Sequence, residues 1–307
     1  MADRYRVLSL DGGGIRGIVT SRLLERLEEA RPGFLGEVDL FAGTSTGGIL
    51  ALALAAGLSP TDITELYRTQ GATIFANDTV FDALGHLDKL VMADYRAEPL
   101  KRELEARFGD LRLGDLDRKV VIATFQLDSG IVTKAGVRSW KPKFFHNFPE
   151  ASTDSEQLVV DVALRTTAAP TYFPVYQGFI DGGVAANNPS MCALAQALDP
   201  TTANRTLDDI SLLSVGTGLT PHFIEGETHD WGYVQWATRL VGIVMGGISG
   251  VADFECRQVL AGRYRRLDLV LPHDIALDDV DDVGFLADLA GAHDLDDDIA
   301  WLEAHWV

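Results

Sequence analysis

Ser45 is the residue whose neighbours first point to chemistry. It stands in Gly43-Thr44-Ser45-Thr46-Gly47, the Gly-x-Ser-x-Gly spacing. The apolar run Val38–Ala42 precedes it, and the helical run Ile49-Leu50-Ala51-Leu52-Ala53-Leu54 follows. In a nucleophile elbow, small residues on both sides of a serine let strand and helix cross closely, and the sharp turn lifts the hydroxyl clear of the sheet. The spacing alone is common, because Gly and Ser suit turns for independent reasons. The strand before and the helix after are the context the motif demands.

A second stretch, Asp11-Gly12-Gly13-Gly14-Ile15-Arg16-Gly17, lies between the expected strand Arg6–Leu10 and a helix. That helix carries Ile15, Ile18, Val19, Leu23, Leu27 and Ala30 on one face. Backbone N–H groups at such a turn are free to meet an anion, and the helix dipole assists. Three uses fit: a structural turn, a dinucleotide cradle through Gly12, Gly14 and Gly17, or an oxyanion hole. A nucleotide-binding oxidoreductase would also need an acid at the end of the second strand. Glu37 and Asp39 lie at the start of Val38–Ala42, the wrong end for that role. A third stretch, Asp181-Gly182-Gly183, follows the extended run Tyr172–Ile180; alone, Asp-Gly reads as a turn.

A serine hydroxyl needs a base to take its proton. The histidines are His86, His146, His222, His229, His273, His293 and His305. A Ser…Asp…His order is available through Ser45, Asp181 and His222 or His273. None of the seven sits in a marked loop, so nothing selects among them, and all read as structural or exposed.

Taken together, the three loops resemble the patatin-like phospholipase family. Its signature is a DGGG-x-R-G turn, a GTSTG-type elbow and a DGG or DGA motif, which stand here in order at Asp11–Gly17, Gly43–Gly48 and Asp181–Gly183. The stretches Ala168–Pro174 and Asn187-Asn188-Pro189 are also similar to the family. The likeness runs from about residue 5 to about residue 218 and is weak beyond. The resemblance implies a Ser–Asp dyad without a catalytic histidine: Ser45 as nucleophile, Asp181 as proton acceptor, and an oxyanion hole from Gly12, Gly13 and Gly14 with help from Arg16. Gly17, Gly43, Gly47, Gly182 and Gly183 complete the motifs. It implies a lipid or phospholipid ester as substrate, transient contact with a membrane, and no metal or other cofactor. Some bacterial members are effectors switched on by a nucleotide second messenger, so a small-molecule activator is a further expectation.

The elements that must hold these loops alternate. Strands are expected at Arg6–Leu10, Val38–Ala42, Val120–Phe125, Ile210–Val215 and Tyr264–Val270, with an extended piece at Lys143–His146. Helices are expected after Ser59-Pro60, over Glu98–Phe108 and Leu158–Thr167, after Asn187-Asn188-Pro189, and over residues 232–258. In the last, the apolar, Gly-containing middle Val241–Val251 reads as buried, with a lipid-facing surface as the alternative. Residues 76–95 read as a segment lying over the site. The fold class is α/β: three layers, α/β/α, around a mostly parallel sheet, in one domain over 1–307 whose C-terminal helical part spans about 219–307.

Composition sets the outer limits. The 307 residues are 47% hydrophobic, enough for a substantial core, and carry a formal charge of −19. That balance argues against a nucleic-acid polymer, whose binding depends on neutralising phosphates, and gives no help at an anionic membrane. Cys192 and Cys256 are not spaced as metal ligands and suit a reduced, cytoplasmic setting. The N-terminus lacks the apolar stretch of a signal peptide. The aspartate-rich C-terminus fails as a calcium loop, since Val283 and Ala290 stand where ligands belong. Oligomeric state has no signature.

Overall fold

The structure is a computed structural model that describes residues 4–74, 95–130, 137–148, 154–220, 224 and 232–306; of residues 72, 233–235, 237, 238 and 241 it describes the backbone alone. Five strands run parallel: β1 (Tyr5–Leu10), β2 (Leu40–Thr44), β3 (Lys119–Gln126), β6 (Ile210–Val215) and β7 (Tyr264–Leu267). β4 (Lys141–His146) and β5 (Phe179–Asp181) are antiparallel to β3. The order across the sheet is β4-β3-β2-β1-β6-β7, with β5 on β3.

The helices are α1 (Gly17–Ala30), α2 (Thr46–Ala55), α3 (Pro60–Ile74), α4 (Ala97–Phe108), α5 (Val159–Thr166), α6 (Gly183–Ala186), α7 (Ser190–Leu198), α8 (Tyr233–Leu260), α9 (Val283–Ala292) and α10 (Asp296–His305). Strand side chains alternate between two cores, as the period of two requires. Leu8, Leu10, Phe41, Ile122 and Leu213 face α1, α2 and α5. Val7, Leu40, Val121 and Leu212 face α7 and the C-terminal half of α8. The three-layer, mostly parallel α/β/α architecture is therefore the one expected, and the central strands β1, β2, β3 and β6 are largely buried because both faces are covered.

Local signals hold at several ends. Ser59 Oγ accepts the Asp62 N–H at 3.2 Å and the Asp62 carboxylate accepts the Ser59 N–H at 3.2 Å, which closes the start of α3. Gly109 ends α4 with a φ of 50°. Four details differ from expectation. β2 starts at Leu40 and runs on to Thr44. The stretch from Tyr172 becomes strand only at Phe179. α6 stands where a loop was expected, between Asp181 and Asn187. Ala30, expected on the buried face of α1, is exposed.

The largest difference is α8. Its middle is not buried: Leu240, Ile243, Val244 and Val251 are exposed. Open space lies where a Cβ would stand on Gly242, Gly246, Gly247 and Gly250. From Ala252 the helix turns residues inward, with Ala252, Cys256 and Leu260 buried. Among the described residues no helix is long and apolar enough to cross a membrane. The segment 76–94 and His86, His222 and His229 lie outside the described residues.

Candidate active site

β3 is the element that brings the site together. One of its edges is taken by β4 over Val121–Gln126. Along the other edge β2 pairs first, ending with Thr44 opposite Ala123. β5 then takes over from the opposite direction, ending with Asp181 opposite Thr124. Two strands thus meet nearly end to end on one neighbour, and the residues at the junction are Ser45, which follows Thr44, and Asp181. Residues 136 apart in sequence become neighbours through adjacent register positions.

The elbow is built from steric necessity. Ser45 has φ 55° and ψ −126°, a conformation that non-glycine residues avoid and that persists only when its surroundings enforce it. A Cβ on Gly43 would stand 2.2 Å from the Gly47 carbonyl oxygen, and one on Gly47 would stand 2.2 Å from that of Leu10. Strand, helix and Gly-rich turn therefore pass at distances that only glycine permits. The Ser45 N–H donates to Thr166 Oγ1 at 2.9 Å, and Thr166 donates to the Ala123 carbonyl at 2.6 Å. That chain pins the strained residue to the same β3 position that faces Thr44. Ser45 is also the N-cap of α2, where unpaired helix amides favour negative charge.

Asp181 is 4% exposed and Ser45 9%. Burial raises the Asp181 pKa to about 6, against the pull of the Ser45 hydroxyl and the Gly183 amide. The Gly183 N–H donates to Asp181 Oδ1 at 2.7 Å and orients the carboxyl group. A carboxylate with a pKa near 6 is a better base than an ordinary Asp and is still ionised at neutral pH.

The Gly-rich turn divides its labour. The Gly12 N–H donates to the Asn187 carbonyl at 3.0 Å, so the expectation of Gly12 as an oxyanion donor is corrected: that amide is already used. Gly12 serves by its size, since a Cβ there would stand 3.2 Å from Ser45 Cβ. The amides of Gly13 and Gly14 donate to no described acceptor, and both residues line the cavity that holds Ser45. Arg16 has a partner outside the cavity. Its guanidinium donates to Thr220 Oγ1 at 3.0 Å, and it is no part of the cavity lining.

That cavity, of about 170 Å³, contains Ser45 and Asp181. Its walls are almost wholly apolar: Ile15, Ile49, Leu66, Tyr67, Ile74, Leu100, Leu104, Tyr172, Phe173, Val184, Met245 and Leu277, with Glu103 the charged exception beside Asp181. Among the described residues no histidine lines it, and no cluster of side chains suits a metal ion. The dinucleotide reading loses its ribose partner, because Asp39 accepts the Arg6 N–H at 2.8 Å, beyond the far end of β2 from Ser45.

Several supports carried no signal in the sequence. Thr166 is one; nothing about a threonine near the end of a helix marks it. Ser249 on α8 is another: its Oγ accepts the Asn187 Nδ2 N–H at 3.1 Å, while Asn187 Oδ1 is buried without a partner among the described residues. A third is Arg266 on β7. It holds Asp11, the first residue of the Gly-rich turn, through two bonds of 3.0 and 2.6 Å, and also bonds Asp268 at 2.7 Å and Ser214 at 2.8 Å. Burial opposes its charge, but Asp11 and Asp268 hold its pKa above the ordinary range.

Comparison with known proteins places the chain in a family. The family model described as Patatin-like phospholipase matches residues 8–194. "Protein teg" of Priestia megaterium is 28% identical over 99% of this chain and 99% of its own. A "cGAMP-activated phospholipase" of Vibrio cholerae is 32% identical, covering 91% of this chain and 85% of that protein. "Patatin-like protein 2" of Arabidopsis thaliana is 27% identical, covering 88% and 76%.

Proposed function

The chain belongs to the patatin-like phospholipase family, a family of lipid hydrolases, and from that premise we propose a serine acyl hydrolase that cleaves carboxylic esters of lipids through a Ser45–Asp181 dyad. The observation that carries the reading is the junction on β3, which sets Ser45 and Asp181 side by side in an apolar-walled cavity. An acyl chain would occupy the cavity and bring its ester carbonyl to Ser45.

Ser45 Oγ attacks the carbonyl carbon while Asp181 accepts the hydroxyl proton. The tetrahedral oxyanion is met by the Gly13 and Gly14 amides and by the N-terminus of α2. The carbon–oxygen bond to the leaving group then breaks, and the alcohol departs with the proton from Asp181. Water attacks the resulting acyl-enzyme, passes a proton to Asp181, and the acid is released as Ser45 recovers its hydroxyl. General-base assistance contributes roughly 10²–10⁴ in rate, and each lost oxyanion donor costs roughly 10²–10³.

Acyl release from phospholipids, galactolipids and a short-chain p-nitrophenyl ester tests this, with wild type beside Ser45→Ala and Asp181→Asn. The name of the Vibrio cholerae relative adds an arm with cGAMP. Activity in wild type that both variants lose by about 10² or more supports the dyad. Asp181→Asn at wild-type rate would remove Asp181 from it.

A further inference from the structure

We propose that the end of the sheet bearing Ser45 is a docking face for a lipid surface with electrically neutral headgroups, and that the N-terminal half of α8 is its principal contact. The proposal rests on the reading of the Ser45 cavity as a lipid-ester site. It starts from strand direction. β1, β2, β3 and β6 run in parallel, and Ser45 follows the C-terminal end of β2. Three exposed apolar side chains lie at this same end. Leu219 follows β6 and bridges Val270, beyond β7, which is 64% exposed. Trp140, 71% exposed, precedes β4, whose first residue stands opposite Gln126 at the end of β3.

α8 returns antiparallel to β7, so its C-terminal half packs near the strand beginnings with Ile210 and Tyr264, and its N-terminal half reaches the Ser45 end. Met245 lines the cavity, and Ser249 bonds Asn187. Just before Met245 in the helix, Leu240, Ile243 and Val244 are exposed. From Leu240 to Ala252 the helix carries no charged residue. An apolar helix surface is therefore continuous with the opening of the cavity that an ester must enter.

Continuity with the cavity selects the occupant: an uncharged apolar helix face meets the opening of a cavity read as a lipid-ester site. The apolar residues reach from the β4 edge to the β7 edge, five strand spacings or about 24 Å, a span that a lipid surface covers. Beside Trp140 the face also carries the exposed Arg138–Asp128 ion pair, whose charges cancel. A formal charge of −19 disfavours a second copy of the chain and an anionic bilayer alike. Apolar insertion into a neutral surface needs no charge complement.

Vesicle flotation tests the face in a Ser45→Ala background, which leaves the lipid intact. The probes are phosphatidylcholine vesicles and phosphatidylglycerol vesicles at low salt. The expected result is flotation with phosphatidylcholine that exceeds flotation with phosphatidylglycerol. Ile243→Asp with Val244→Asp should weaken it by about tenfold or more, and Trp140→Ser, a separate and milder change, by a few-fold. With Ser45 restored, the same variants should hydrolyse the short-chain p-nitrophenyl ester at the wild-type rate, which also shows that they fold. Unchanged flotation in the α8 variant, or no flotation of the parent, overturns the proposal. So does a self-association that the α8 variant abolishes while flotation persists, which would assign the face to a second copy. Failure of the Ser45 reading shows differently, as no ester hydrolysis by the protein with Ser45 intact while flotation stands.

Discussion

α2 and the stretch Leu240–Ala252 of α8 are two apolar, uncharged, glycine-containing helical stretches that fare oppositely. α2 is buried on nearly every side, between β2, β3, α5 and the start of α1. The stretch Leu240–Val251 has similar composition and stands largely exposed. Composition alone does not decide burial; what surrounds the helix does. α2 is short and begins at a tight crossing, where Gly43 and Gly47 let it lie against β2 and the Gly-rich turn. α8 is long enough that its second half anchors it in the core through Cys256 and Leu260, leaving the first half to project beside the cavity.

Charging each helix should break the symmetry most strongly. Leu50→Asp on α2 places an unpaired carboxylate in a site with no exposure and should prevent stable folding, a cost of several kcal/mol. Ile243→Asp on α8 should change stability by less than about 1 kcal/mol, since the side chain is already in water. Urea unfolding of the two variants checks both, and equal destabilisation would mean that α8 is covered in solution.

The site at the N-terminus of α2 should itself be a source of instability. The folded-state pKa of Asp181, about 6, is above the roughly 3.9 of an unfolded Asp. The folded state therefore binds this proton more tightly, and the stability it confers is full below about pH 4 and lost as pH rises through about 6. Asp181→Asn should accordingly be more stable than wild type at pH 8, by ~1–3 kcal/mol, and not at pH 4. Thermal melts at the two pH values decide it; a destabilised variant at pH 8 would contradict the burial argument.

Glycines give the smallest contrast. Gly246→Ala and Gly247→Ala on α8 meet open space and should each stabilise by about 0.5–1 kcal/mol through helix propensity. Gly47→Ala at the start of α2 would drive a Cβ to 2.2 Å from a backbone oxygen and should lose both stability and acyl release. Melting temperatures of the three variants measure this directly.

These contrasts also show how far the sequence could be read. The elbow was legible because strand, Gly-x-Ser-x-Gly and helix are adjacent in the chain, and the α/β alternation was legible because the central strands β1, β2, β3 and β6 are largely buried apolar runs. The Ser45–Asp181 junction was not derivable from spacing; it depends on β5 pairing antiparallel with β3, and a three-residue strand carries no periodicity. The family resemblance supplied the pairing of roles that local pattern could not. Arg266 was invisible for another reason: it acts on Asp11 across 255 residues, from β7, outside the span the family model matches. Gly12 was misassigned as a donor because a motif shows which residues gather at a turn, not which amide is already bonded.

The central claim, that Ser45 is the nucleophile and Asp181 its base, is tested most directly by fluorophosphonate labelling across pH, with the adduct mapped by mass spectrometry. The account predicts one adduct, on Ser45, formed at a rate that rises with pH through about 6 as Asp181 ionises, and slowed by about 10² or more in Asp181→Asn. An adduct on another residue, or Ser45 labelled by Asp181→Asn at the wild-type rate, would contradict it.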